Sequence, residues 1–340
     1  MSERAQCGMS GRCQGPPGVR ASGHTPTTMG TKLGMAAADE RMRLVSRTWR
    51  PHQRLHVGNV AWSSAGGDGS PPPTEALSWG EPMFAFADVW RSPSPGDPCE
   101  VSVHISSEAS PAQHGHVISD LINTTPHMSM EVSDQDVALV NVLGDAGFHR
   151  VSGEPWFAQL WRDIAQVNDL QPFVAPDGYS IRAVDDTNDD LARRVEVHRE
   201  AWSPRRIKNL LGLEITGTEN ESSYSAVKQR RVMGSPDYRQ ELDIVVEAGD
   251  GSFAAYALGW LDEQHGAVLF EPVGTHPAHS RRGLARAVCS ELLLRARDLG
   301  ATQAVVGPRG DDGYPLPRRL YEGLGMREVA QFVNYTNVPD

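Results

Sequence analysis

The sequence predicts a mixed α/β (α+β) protein: a mostly antiparallel sheet flanked by helices, built as two tandem domains. Three observations predict it. Runs rich in β-formers alternate with helical periodicity along most of the chain. A hairpin signal, Ala248-Gly249-Asp250-Gly251, joins Leu242–Glu247 to Phe253–Leu261 and makes the start of one domain antiparallel. A single strand–loop–helix crossover then follows from Val268 to Leu299. The 340 residues are too many for one compact core and suit two domains of ordinary size plus a tail.

In chain order, residues 1–51 read as a disordered leader, because Gly, Pro, Ser and Thr dominate and apolar periodicity is nearly absent. The first domain is expected over residues 52–174. Its strand candidates are Met83–Trp90, Glu100–Ile105 and Met128–Val132. Val117, Ile118, Leu121 and Ile122 mark a helix, and Val137, Val140 and Leu143 lead to Gly147-Phe148. A helix is expected around Trp161 and Ile164, with a linker at Pro172 and Pro176.

The second domain is expected over residues 175–340. Tyr179–Val184 reads as a strand and Asn188–Trp202 as a helix. After the hairpin, Val268–Thr275 is the next strand. Gly283–Leu299 is a helix with Leu284, Val288, Leu292, Ala296 and Leu299 on one face and Gly300 as its stop. Ala304–Gly307 is a strand, a short helix ends at Gly325, and Val329–Thr336 closes with alternation.

Composition narrows the function. Hydrophobic content is 39% and charged content 22%, as in globular proteins. A formal net charge of −11 argues against nucleic acid as a partner and suits a cationic substrate. No run of eighteen apolar residues appears, so no membrane span is expected. No apolar leader follows a basic start, so secretion is not expected. Cys7, Cys13, Cys99 and Cys289 match no zinc or disulfide spacing, which favours the cytoplasm. Lysine occurs only at Lys32, Lys208 and Lys228, a bias read as genomic.

The stretch Glu271-Pro272-Val273-Gly274-Thr275-His276-Pro277-Ala278-His279-Ser280-Arg281-Arg282-Gly283-Leu284-Ala285 carries the chemistry. It follows a strand and opens a helix. A glycine there lets the backbone approach a bulky ligand. The unpaired amides of the first helical turn suit an anion such as pyrophosphate. Arg281 and Arg282 add charge-assisted donors, and small Ala285 leaves room beside the helix.

This stretch resembles the pyrophosphate loop of the GNAT superfamily of N-acetyltransferases, in which Gln or Arg is followed by two free positions, Gly, one free position, then Gly or Ala. Gly283, Leu284 and Ala285 match; Ser280 stands in the first position and departs from it. The resemblance implies acetyl-CoA as co-substrate, held by Val273, Thr275, Ser280, Arg281, Arg282, Gly283, Leu284 and Ala285. It also implies that the strand before the loop splays from its neighbour, where Pro272 is tolerated.

A second stretch, Leu316–Met326, resembles the family's Asn-x-x-Ala-x-x-Leu-Tyr-x-x-x-Gly-Phe segment. Leu320, Tyr321 and Gly325 match, whereas Tyr314 and Pro317 replace the usual Asn and Ala. The resemblance makes Tyr321 the general acid for the leaving thiolate; a packing tyrosine is the other reading. Glu271 is the candidate base, on a face shared with Leu269, Val273 and Thr275, against a purely structural glutamate. Asp262 and Glu263 read as strand-end acids, solvated or in contact with a cationic substrate, Trp202, Tyr238 and Trp260 as core aromatics or an acceptor wall, His276 and His198 as turn and helix-face residues rather than catalysts. Arg205, Arg206 and Lys208 read as a solvated helix face.

The first domain repeats the order of the last four elements but has no glycine-basic turn in Ser106–His114. Leu143 stands four before a glycine, where the second domain has Tyr321. It therefore reads as a degenerate acetyltransferase-like domain. The expected function is an N-acetyltransferase acting on a primary amine of a small molecule or peptide, as a monomer or homodimer. An acyl-CoA-binding regulatory module without transferase activity is the alternative.

Overall fold

A computed structural model describes residues 27–29, 35–67, 71–92, 97–153, 155–165, 173–217, 219 and 221–339. The first unit runs β1 (Thr27–Met29), α1 (Met35–Thr48), α2 (Val57–Ser64), β2 (Glu75–Trp79), β3 (Ala85–Trp90), β4 (Cys99–Ile105), α3 (Pro111–Thr124), β5 (Met128–Ser133), α4 (Val137–Asp145), β6 (His149–Arg150) and β7 (Phe157–Asp163). The second runs β8 (Tyr179–Ala183), α5 (Asn188–Ala201), α6 (Pro204–Leu210), α7 (Ala226–Met233), β9 (Asp243–Ala248), β10 (Phe253–Asp262), β11 (Ala267–Thr275), α8 (Leu284–Asp298), β12 (Gln303–Val306), α9 (Leu316–Glu322) and β13 (Arg327–Thr336).

One sheet passes through both units in the order β1-β2-β3-β4-β5-β13-β7-β12-β11-β10-β9-β8, with β6 against β13. All pairs are antiparallel except β4–β5 and β11–β12, each joined by one crossover helix, α3 or α8. The units exchange strands at the middle. β13 pairs with β5 of the first unit, β7 pairs with β12 of the second, and β13 and β7 pair with each other.

The α8 stripe of Leu284, Val288, Leu292 and Ala296 packs on Ile244, Ala257, Val268 and Phe270, all nearly or fully buried. Each of the Leu, Val, Ile and Phe side chains among them contributes about 1.5–3 kcal/mol by leaving water. The equivalent stripe of α3, Val117, Ile118 and Leu121, packs on Val101, Met128 and Met130. The opposite face of the second unit is closed by Trp49, Trp62, Trp260 and Leu269, so α1 and α2 of the first unit help cover it.

Two expectations are corrected. The helix expected at Trp161 and Ile164 is strand β7. Ala158 and Leu160 are fully buried at the centre of the sheet, where cover on both faces hides the period-two pattern. The expected disordered leader is also too long: residues 35–48 form α1, and Leu44, Val45 and Trp49 are buried against the sheet. Cys7, Cys13 and Pro172 lie outside the described residues.

Candidate active site

β11 is paired along one edge by β10, but on its other edge only Ala267, Val268 and Leu269 meet β12. From Phe270 onward the two strands diverge. The register with β10 slips at the same place: Ala257 faces Val273 and Gly259 faces Phe270, so Glu271 and Pro272 share the space opposite Leu258. This is a β-bulge, and a residue without an N–H fits there. The Trp260 indole N–H fixes the bulge by donating to the Glu271 carbonyl at 2.7 Å.

The bulge breaks the two-residue period. Val268, Phe270 and Val273 pack on the α8 side, whereas Leu269 packs on the tryptophan side. Leu269, Glu271, Val273 and Thr275 therefore do not share one face, contrary to the sequence reading. Gly274 is needed by packing: a Cβ there would sit 2.6 Å from the Tyr256 ring and 2.8 Å from Ala201.

Beyond Thr275 the chain makes a 3-10 turn over Pro277–His279, whose start is capped by the His276 Nδ1 accepting from Ala278 N–H at 3.2 Å. Arg281 and Gly283 then adopt φ of +64° and +77°. A left-handed non-glycine costs about 1–2 kcal/mol. Among the described residues Arg281 alone has a positive φ without being glycine. Gly283 is the N-cap of α8 and supplies no side-chain cap. The first-turn amides thus lack a side-chain acceptor, and a helix start left open in this way suits an anion.

Arg281 and Arg282 are exposed beside these amides. Arg282 is anchored: it donates to Tyr179 Oη at 3.0 Å, and Tyr179 Oη lies 2.9 Å from His279 Nδ1. Ser280 Oγ stays 3.5 Å from the His276 carbonyl. Leu284 is 1% exposed and packs in the core, so only its amide can face a ligand, while Ala285 is half-buried. Phe173 covers the loop; a Cβ on Gly283 would meet its ring at 3.4 Å, and the Arg286 guanidinium lies 5.8 Å from the ring centre. Neither Tyr179 nor Phe173 was singled out in the sequence, since neither lies near the loop in the chain.

Tyr321 stands on α9 beside the mouth of the splay. It is 6% exposed, edge-on to Phe270 with ring centres 6.5 Å apart, and its hydroxyl makes no hydrogen bond to any described residue. Burial, reinforced by Cys289, Glu271, Tyr256 and Tyr314, holds its pKa well above that of an ordinary phenol. The structure thus brings Glu271 near Tyr321 electrostatically, and both near the open edge of β11.

The minor candidates separate. Arg206 is not a solvated helix-face residue: it donates to the Thr275 carbonyl at 2.6 Å and ties α6 to the end of β11, and burial lowers its pKa. Arg205 is exposed, and Lys208 pairs with Glu219 at 3.0 Å. Asp262 is not solvated; it is 4% exposed and pairs with Ala267, at the end of β10 away from the Ala255–Thr275 pair. His198 is buried and lies 2.7 Å from Tyr256 Oη. Trp260 is a core residue, Tyr238 is half-buried, and Trp202 is largely exposed. Among the described residues no metal-binding cluster occurs, and no helix is long and apolar enough to cross a membrane.

No protein-family model and no curated protein sequence matches the chain. Solved structures do. A tandem GNAT protein from the clavulanic acid biosynthesis pathway matches with TM-score 0.58 and 12% identity, over 93% of this chain and 99% of the other. A GCN5-related N-acetyltransferase from Sphaerobacter thermophilus matches with TM-score 0.53 and 16% identity, over 92% and 95%. FemX matches with TM-score 0.56 and 9% identity, over 92% and 97%. The chain therefore has the GCN5-related N-acetyltransferase fold in a two-domain arrangement.

Proposed function

We propose that the second unit is an acyl-CoA-dependent N-acetyltransferase that moves an acetyl group from acetyl-CoA to a primary amine of a small molecule or peptide. One observation carries the reading: the uncapped α8 start, with left-handed Arg281 and Gly283, follows directly on the splayed edge of β11. The first offers amides to a diphosphate, and the second offers room for an extended thioester arm.

Acetyl-CoA would supply an activated thioester. The residues of the chain bind and move protons around it. First-turn amides of Leu284 and Ala285 and the Arg281 and Arg282 guanidiniums hold the phosphates. Unpaired backbone amides on the open edge of β11 stabilise charge developing on the thioester oxygen. Glu271 takes the proton of the attacking ammonium, directly or through water, because a primary amine is largely protonated near neutral pH. Tyr321, its phenol pKa raised by burial and its hydroxyl without a hydrogen bond to any described residue, donates its proton to the departing thiolate.

The test is thiol release with an amine panel. Wild type should release coenzyme A only when an acceptor amine is present, and Tyr321→Phe should bind acetyl-CoA normally while turning over slowly. Acetyl-CoA binding with no amine-dependent thiol release across the panel would favour the regulatory-module reading. Failure of acetyl-CoA to shift the melting temperature of wild type would remove both.

A further inference from the structure

A cavity of about 1070 Å³ opens where β4 and β5 part, lined by the first unit and by Phe332 and Asn334 of β13. β4 meets β5 only through Cys99, Glu100 and Val101, so Ser102–Ile105 leave an open edge like that of β11. The cavity passes through this gap. The strand residues split cleanly by face. Val101, Ile105, Met130 and Val132 belong to the core under α3 and α4. Glu100, Ser102, His104, Ser129 and Glu131 alternate with them and look toward the segment before α2, where His52 and Arg54 lie.

The helix that follows cannot grip a phosphate. Ser110 Oγ accepts from Gln113 N–H at 3.3 Å, and Gln113 Oε1 accepts from Ser110 N–H at 2.8 Å. This capping box satisfies the α3 start from within. The charges of the wall point elsewhere. Arg54 is committed: it pairs with Glu131 at 2.7 Å and stacks on Phe157 and Phe332. Glu100 has no such partner among the described residues and raises the pKa of Glu131, after burial itself. His104 is 8% exposed, its Nε2 is buried without a hydrogen-bond partner, and burial lowers its pKa to about 4, so it is neutral and able to accept. Trp90, Phe157 and Phe332 supply aromatic surface.

We infer that this cavity binds a small organic primary amine, its ammonium between Glu100 and Glu131 and its apolar body against Trp90 and Phe157. One carboxylate more than Arg54 neutralises, a neutral imidazole acceptor and aromatic walls together select a cation with an apolar part. The site is separate from the cofactor loop of the second unit and does not depend on that unit being a transferase.

The test uses the full chain, titrated with phenethylamine by calorimetry and by the fluorescence of the tryptophans. Ser102→Trp fills the cavity, and Glu100→Gln removes the unpaired charge; both positions are exposed, so neither change disturbs the core. Wild type should bind one equivalent. Glu100→Gln should weaken binding by about fivefold or more, Ser102→Trp should abolish it, and neutral 2-phenylethanol should bind about tenfold more weakly. No binding of phenethylamine at millimolar concentration overturns the inference. So does binding that both variants leave unchanged, or a second equivalent of coenzyme A that Ser102→Trp removes.

Discussion

The two units follow one order of elements, and each has a strand that parts from its neighbour before the crossover helix. They differ in how that junction is finished. In the second unit α8 starts on a left-handed glycine with no cap. In the first, α3 starts on a serine whose capping box takes the Ser110 and Gln113 amides, and Pro111 at its first position has no N–H to offer. The ends of the next helices are built alike: Phe148 N–H returns to the Leu143 carbonyl at 2.9 Å, and Met326 N–H to that of Tyr321 at 3.1 Å. Gly147 and Gly325 are both left-handed, at φ of +86° and +80°. Leu143 and Tyr321 are therefore equivalent positions by hydrogen bonding as well as by spacing, and only one carries a proton. The shared backbone architecture needs only a cap and a glycine, whereas binding an anion at a helix start needs particular amides left unsatisfied.

The largest effect should come from removing that proton. Tyr321→Phe should lower kcat by about 10²-fold, at the lower end for a general acid, with acetyl-CoA affinity almost unchanged. Steady-state kinetics and a binding isotherm check both halves of the statement. Because the phenol pKa is raised, the acid form persists below it, and the rate should not fall on the alkaline side before the range of an ordinary phenol. An alkaline limb well below pH 10 that vanishes in the variant would assign the acid role to a phenol unlike the one seen here. Leu143→Tyr should restore nothing, since the first unit has no phosphate grip.

Next come the glycines of the two crossover helices. Gly283→Ala forces a left-handed alanine beside Phe173 and should weaken coenzyme A binding by about tenfold, from about 1–2 kcal/mol of backbone strain. Gly115 lies inside α3 with nothing within 4 Å of a new Cβ, so Gly115→Ala should stabilise the protein by about 0.5–1 kcal/mol in chemical denaturation. Equal behaviour of the two would break the comparison. Ser110→Ala comes third and should cost about 1 kcal/mol of stability without creating coenzyme A binding in the first unit.

Much of this was legible in the sequence, and the rest was hidden for physical reasons. The segment from β9 to α9 announced itself because a hairpin signal, an amphipathic helix and two glycine stops are local. The splay of β11 was expected from the loop the chain resembles, with Pro272 compatible with it, but the flip of Val273 to the other face was not, because a proline suits an edge as well as a bulge and does not fix the register. β7 was misread since its partners, β12 and β13, lie more than a hundred residues away in the chain and flank both its edges, which places it in the buried middle of the sheet. α1 was lost in the composition of the residues before it, although Leu44, Val45 and Trp49 have the spacing of a buried stripe. Tyr179 and Phe173 reach the cofactor loop only through tertiary folding.

The smallest effect concerns the one place where the second unit departs from the loop it resembles. Ser280 is half-buried, with extended backbone at φ −62° and ψ 155°, and its hydroxyl is 3.5 Å from the His276 carbonyl. That contact is too long to hold the side chain firmly. Ser280→Gln keeps the backbone and adds an amide that can reach a phosphate oxygen beside the first turn of α8. One neutral hydrogen bond is worth about 0.5–1.5 kcal/mol, and ordering a flexible side chain takes back part of it, so affinity for coenzyme A should rise about two- to threefold. Isothermal titration resolves that difference. A loss of affinity instead would mean that Ser280, and not the amides after Gly283, already sets the grip, and the distinction drawn between the starts of α8 and α3 would then rest on a side chain.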